Sequence, residues 1–219
     1  MTDTPHKQAV DEIQAGLKPY FKQQGFRVRG RIFNRKTSDG LTQIVGIQMG
    51  RFDPPGTTPI PEIREDLYGQ FTVELAVFVP ELHELEFGAK PKDWVHFGYG
   101  HLRARLGELC GEEQDLWWPA KPGEAVVTDL LLRLNSAGLP YLERFATREK
   151  IIAAWTGKEP RILGCEPSRQ MVAVLLATRG ERARARELLR AEYLEATHAG
   201  RKEWLVSTAR ELGLDPIDR

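Results

Sequence analysis

At 219 residues, with 41% hydrophobic and 28% charged side chains, the chain sits near globular averages, which excludes a disordered or coiled-coil protein and allows one substantial core plus a smaller helical appendage. Lysine plus arginine and aspartate plus glutamate both number 31, so no net field draws the whole molecule to nucleic acid or anionic lipid. No apolar run approaches the ~20 residues that cross a bilayer, "MTDTPHKQAVDEIQAGLKPYF" lacks the basic and apolar segments of an export signal, and Cys110 and Cys165 form no metal or redox spacing, so a cytoplasmic protein with reduced thiols is expected.

From about Pro5 to Gln24, Val10, Ile13, Leu17, Tyr20 and Phe21 recur at helical spacing, and Gly25 supplies a stop. "FRVRGRIFNRK" alternates Phe26, Val28 and Ile32 with Arg27, Arg29 and Arg31, which predicts a half-buried strand with a basic face. "TSDG" is a turn, and Leu41, Gln43, Val45, Ile47 and Met49 resume the alternation, completing a hairpin. The stretch from Arg51 to Glu65 is rich in proline and glycine and reads as a long excursion, a natural place for partner contact. "FTVELAVFV" is a strand with Phe71, Val73, Leu75, Val77 and Val79 at period two, ended by Pro80. A further strand is expected through "WVHFGYGHLRARL". "EAVVTDLLLRL" turns helical, with Gly138 as a stop before a second short helix in "SAGLPYLERF".

After Trp155, "TGKEPRILGCEPSR" reads as a linker, and three helical runs separated by glycines follow. The division expected is an α+β domain over 1–155 and a helical C-terminal extension over 156–219 docked on it, since a single helical repeat needs neighbours to cover its apolar face. The fold class expected is α+β: an antiparallel sheet of about four or five strands with an N-terminal helix and further helices packed on it, plus an all-helical C-terminal extension.

Taken in order, "GFRVRGRIFNR", "IVGIQM", "FTVELAVFVPEL", "RLGEL", "DLWW" and "GLPYLERF" resemble the family called Domain of Unknown Function 4304, over roughly residues 11–155. The chain departs from that pattern at Tyr141, where a tryptophan often follows the proline. The resemblance implies a bacterial setting and supports the fold class. It implies no activity, because none is assigned to the family.

Candidate chemistry is sparse. "HELE" offers His83, Glu84 and Glu86, followed by His96 and His101, but it is not HExxH, and the two later histidines would face opposite sides of a strand; surface histidines are expected, and no metal. There is no GxSxG, and Cys110 lies in the acidic "ELCGEE", which raises a thiol pKa. "GYGHLRARLG" lacks the third glycine of a dinucleotide fingerprint, so no cofactor is expected.

Arg182, Arg186 and Arg190 form a stripe at i, i+4 and i+8, read as a solvated or internally paired face, with a phosphate backbone as the alternative. Arg103 and Arg105 share a strand face and are expected to contact an acid, for which Glu112, Glu113 and Asp115 stand near in sequence. At least one of the adjacent Trp117 and Trp118 is expected to be buried. These seven side chains are the candidate partner-binding residues, because arginine and tryptophan concentrate at interface hot spots. The resulting expectation is a non-catalytic cytoplasmic protein-binding module of the immunity or adaptor kind, with a toxin-like or other protein partner, no membrane association, and nucleic-acid binding disfavoured. The alternative is a nucleic-acid-binding factor or an enzyme whose site is assembled from distant residues.

Overall fold

A computed structural model describes residues 5–50, 67–111, 116–156, 166–214 and 216–218. The chain opens with helix α1 (Pro5–Gln23), whose Val10, Ile13, Leu17 and Phe21 are buried as the 3-4 spacing requires. The left-handed Gly25 ends it, with the Phe26 N–H returning to the Phe21 carbonyl at 2.9 Å. Where one basic strand is expected, the chain instead forms two, β1 (Arg27–Arg29) and β2 (Ile32–Lys36), folded back over Gly30 and Arg31 with Arg29 opposite Ile32. Gly30 adopts φ +55°, which a two-residue hairpin turn demands. Arg31 therefore leaves the strand face and donates to Asp11 Oδ1 at 2.9 Å and to the Lys7 carbonyl at 3.0 Å, tying the turn to α1.

Strands β3 (Thr42–Met49) and β4 (Gln70–Phe78) follow, then helix α2 (Pro80–Phe87), a 3-10 turn (Phe97–Tyr99) and strand β5 (Leu102–Arg105). The order β1-β2-β3-β4-β5 is an antiparallel meander. Helix α3 (Leu106–Leu109) leads to the two-residue strand β6 (Trp118–Pro119), which pairs with β4 through Phe71 and Gln70, beyond the stretch of β4 that pairs with β5. The strand expected through "WVHFGYGHLRARL" is thus confined to Leu102–Arg105.

Each face of the sheet carries an apolar core. On the first, Phe33, Val45, Leu75 and Leu102 join α1 in the main core, and Phe21 lies against Phe33 with ring centroids 4.1 Å apart. Helix α4 (Glu124–Arg133) closes this face with α5 (Leu139–Arg144). Gly138 does not stop the helix: a π-turn (Leu134–Gly138) joins α4 to α5, with the Leu139 N–H donating to the Leu134 carbonyl. An added Cβ at Gly138 would lie 3.1 Å from Leu75 and 3.2 Å from Leu106, so glycine here permits close packing on the sheet.

On the second face, Ile44, Ala76 and Phe78 form a smaller core with Val95, Ile32 and Phe97. The covering segment is pinned by Asn34, only 2% exposed, which donates to the Val95 carbonyl at 3.0 Å and accepts the Val95 N–H at 2.9 Å. Both polar ends of the buried amide are thereby satisfied. Phe97 lies directly over Gly46, where a Cβ would stand 2.2 Å from the ring.

Helices α6 (Arg148–Thr156), α7 (Arg169–Thr178), α8 (Arg182–Glu195) and α9 (Ala199–Glu211) complete the chain. Six consecutive residues of α7, Met171 to Leu176, are buried, which places this helix between neighbours on all sides. Side chains from the sheet, α1, α4 to α6 and α7 to α9 share one continuous core.

Because Phe97 occupies the space above Gly46, Gly46→Ala is expected to cost about 1–3 kcal/mol in urea unfolding. The same substitution in a Phe97→Ala background should cost under about 1 kcal/mol, a coupling that a double-mutant cycle measures.

Candidate functional site

Helix α2 is the element on which two clefts are built, and its limits are chemical. Pro80 cannot extend β4 but suits the first helical turn, and Gly88 at φ +63° returns its N–H to Glu84. Arg148 fixes its near end, binding Glu81 in the first turn of α2 and Asp39 in the β2–β3 turn, with the Arg148 N–H 2.6 Å from Asp39 Oδ2. Two faces of α2 result. His83 and Phe87, one turn apart, meet the segment 89–99, while Leu82, Leu85 and Glu86 meet α7 and α9.

The first cleft, about 470 Å³, has Ile32 and Phe78 of the sheet as its floor. His83 and Phe87 form one wall, Trp94 and Tyr99 the other, and Lys90 and Lys92 supply the charged side chains that line it. The rings are mutually in contact: His83 to Phe87 at 4.7 Å, His83 to Phe78 at 5.3 Å, and Phe87 to Tyr99 at 6.2 Å. Phe87 and Tyr99 are nonetheless 52% and 55% exposed. The His83 Nδ1 is shielded from solvent and has no hydrogen-bond partner among the described residues. Asp93, close by, is paired with Lys36 at 3.1 Å, which lowers its pKa.

The second cleft, about 570 Å³, lies between α2, α7 and α9. His101 lines it and is not the surface histidine expected from sequence. Its Nδ1 accepts the Val79 N–H at 3.0 Å, which places the proton of the neutral ring on Nε2. Burial pushes its pKa down to about 4, with the nearby His83 a lesser cause.

The sequence candidates are dispersed over other parts of the fold. Arg103 and Arg105 do contact an acid, Glu74 on the neighbouring strand, 4% exposed, at 3.6 and 3.1 Å. The sequence neighbours Glu112, Glu113 and Asp115 lie outside the described residues. Trp118 is 5% exposed, stacks on Phe71 and donates from Nε1 to Asp129 at 2.7 Å. Trp117 is half-buried, with the Arg105 guanidinium 5.5 Å from its ring centroid. Arg182 binds the carbonyls of Leu212 and Gly213 at the C-terminal end of α9, where a helix favours positive charge, and Arg186 donates to the Pro216 carbonyl beyond it at 3.1 Å. Arg190 is exposed.

His83, Glu84 and Glu86 stand on helix α2, directly after β4. Among the described residues no three His, Cys, Asp or Glu side chains converge in a metal-ligand arrangement. Cys110 is a half-buried free thiol; Cys165 and the whole 51–65 excursion lie outside the described residues. No described helix is long and apolar enough to cross a membrane.

Sequence reasoning missed α2 and the aromatic cleft. A signal was present: Pro80 and Gly88 bracket "ELHELEF" with the residues that start and end helices. Comparison with protein-family models, with curated proteins and with solved structures finds no match for this chain.

The His101 environment sets a pH dependence. Its pKa is about 4 in the fold and near the ordinary 6.5 when unfolded, so the unfolded chain binds the proton first. Its contribution to stability is complete above pH 6.5 and is lost as pH falls towards 4, by about 3 kcal/mol in all. Chemical unfolding of the parent and of His101→Gln between these limits should show the steeper loss in the parent.

Proposed function

We propose that this chain is a non-catalytic binding protein whose recognition surface is the aromatic cleft between α2 and residues 89–99. Its partner is a protein that inserts an aromatic or branched aliphatic side chain flanked by acidic residues. The observation that carries this reading is the combination of half-exposed Phe87 and Tyr99 around a preformed hollow with Lys90 and Lys92 lining it.

Water-exposed aromatic area of this kind is what a protein interface uses as its anchor pocket. A volume of about 470 Å³ accepts one large side chain with room for its neighbours. The lysines supply the complementary field, which steers an acidic segment and rejects a basic one. The floor is rigid because Phe78 belongs to the central strand and the far wall is fastened through Asn34 and Val95. A preformed surface loses little entropy on binding. Such a module fits the immunity or adaptor class, in which holding a second protein is the whole task.

The test is direct. Fluorescent twelve-residue peptides bearing one central tryptophan among glutamates should bind saturably in anisotropy titrations, and lysine counterparts should not. The pair Lys90→Glu and Lys92→Glu should weaken binding about tenfold, and Phe87→Ala with Tyr99→Ala about thirtyfold or more, with unfolding midpoints little changed. Equal affinity for acidic and basic peptides, or binding indifferent to all four substitutions, contradicts the proposal.

A further inference from the structure

The aromatic cleft is charged unequally on its two sides, which narrows the kind of partner it fits. Its floor residue Ile32 is the register partner of Arg29, and Asn34, two residues on, is that of Arg27. Residues paired across antiparallel strands point to the same face, so both arginines stand on the cleft side of the sheet. They belong to β1, the strand at the sheet's edge, and both are exposed. Arg27 meets the cleft wall directly, donating to the Asp93 carbonyl at 3.3 Å with its guanidinium 6.0 Å from the Trp94 ring centroid.

The positive charge on this side is left largely unmatched. Arg29, Lys90 and Lys92 have no hydrogen-bond or ion-pair partner among the described residues. Asp93, the acid beside Arg27, is taken by Lys36 at 3.1 Å. No carboxylate lines the cleft itself. The opposite wall has the other sign: α2 carries Glu84 and Glu86, both exposed, and neither a lysine nor an arginine. An acidic chain lying across the hollow is therefore attracted on the β1 side and repelled along α2.

We propose that the partner's acidic residues lie on one side of its anchor side chain, at alternate positions of an extended segment that leaves the cleft over Arg29 and Arg27. This rests on the cleft being the anchor site. Residues two apart on a strand stand about 7 Å apart, and alternate side chains of an extended partner repeat at the same interval. Two carboxylates thus meet two guanidiniums, whose planar forks take carboxylate oxygens in pairs. A single-stranded nucleic acid fits this surface less well, because it needs separate open ring faces for successive bases. Here His83, Phe87 and Tyr99 close round one hollow, and Trp94 is already faced by Arg27.

Anisotropy titration of the full chain with two fluorescent peptides of one composition tests the proposal. One carries glutamates at alternate positions only before a single tryptophan, the other only after it. One order should bind about fivefold or more tighter than the other, and Arg29→Gln should cut that preference to under about twofold while leaving the weaker order unchanged. Arg29 is exposed and unpaired among the described residues, so the variant should keep its unfolding midpoint, which is checked in parallel. Equal affinity for both orders, or a preference that survives Arg29→Gln, overturns the one-sided seat and leaves the anchor cleft standing. Binding of neither peptide removes the anchor cleft and the seat with it. Tighter binding of a single-stranded oligothymidylate, with the same dependence on Arg29, assigns the rim to phosphates and overturns the proposal.

Discussion

The structure depends on one constraint: the C-terminal end of strand β4 is apolar on both faces. Phe71, Val73, Leu75 and Val77 point to the α1 side, and Ala76 and Phe78 point to the other. An antiparallel meander leaves its second face to solvent unless something is folded over it. Here the chain returns immediately after β4, through α2 and residues 89–100, and lays Val95 and Phe97 on Ile44, Ala76 and Phe78. Burying this stripe is what obliges the segment to double back, and the doubling back creates the clefts. Gly46 and Gly100 mark how close the approach is, because a Cβ at either would collide with Phe97 or Ala76.

The cover is thin, and this explains the candidate site. A full helix layer would bury the aromatic side chains of α2, whereas a short 3-10 turn leaves Phe87 and Tyr99 half in water. The segment is held at a few points: Asn34 on Val95, Phe97 on Gly46, and Arg148 linking Asp39 to Glu81. Between these points the hollow stays open. On the other side α2 meets α7 and α9, so one eight-residue helix divides a lysine-lined aromatic cleft from a carboxylate-lined one.

The α+β class, the N-terminal helix, the β2–β3 hairpin and the three C-terminal helices were legible because each carries its own period and its own stop signal. The β1–β2 hairpin was not, since the alternation of arginines with apolar residues runs through Gly30 and Arg31 unbroken. Gly138 read as a stop because sequence cannot distinguish a left-handed glycine from one that lets a π-turn pack on Leu75. An acid for Arg103 and Arg105 was foreseeable, but Glu74 was not, because it becomes their neighbour only through strand register. Likewise, the acceptors for Arg182 and Arg186 are backbone carbonyls, which leave no trace in the sequence. The aromatic cleft was hidden for the same reason: Phe78, Phe87, Trp94 and Tyr99 have no periodic relation and meet only after the chain folds over the second face.

Amide hydrogen exchange at Val95 tests this architecture most directly. Its N–H is the one that Asn34 holds against the buried second face. If that face is a true core, the Val95 amide exchanges with protection comparable to that of Ile44 and Ala76 in the central strands, opening only in near-global unfolding. Exchange at the rate of a solvated loop amide, while Ile44 and Ala76 stay protected, would contradict it, and with it the rigid floor and wall on which the binding cleft rests.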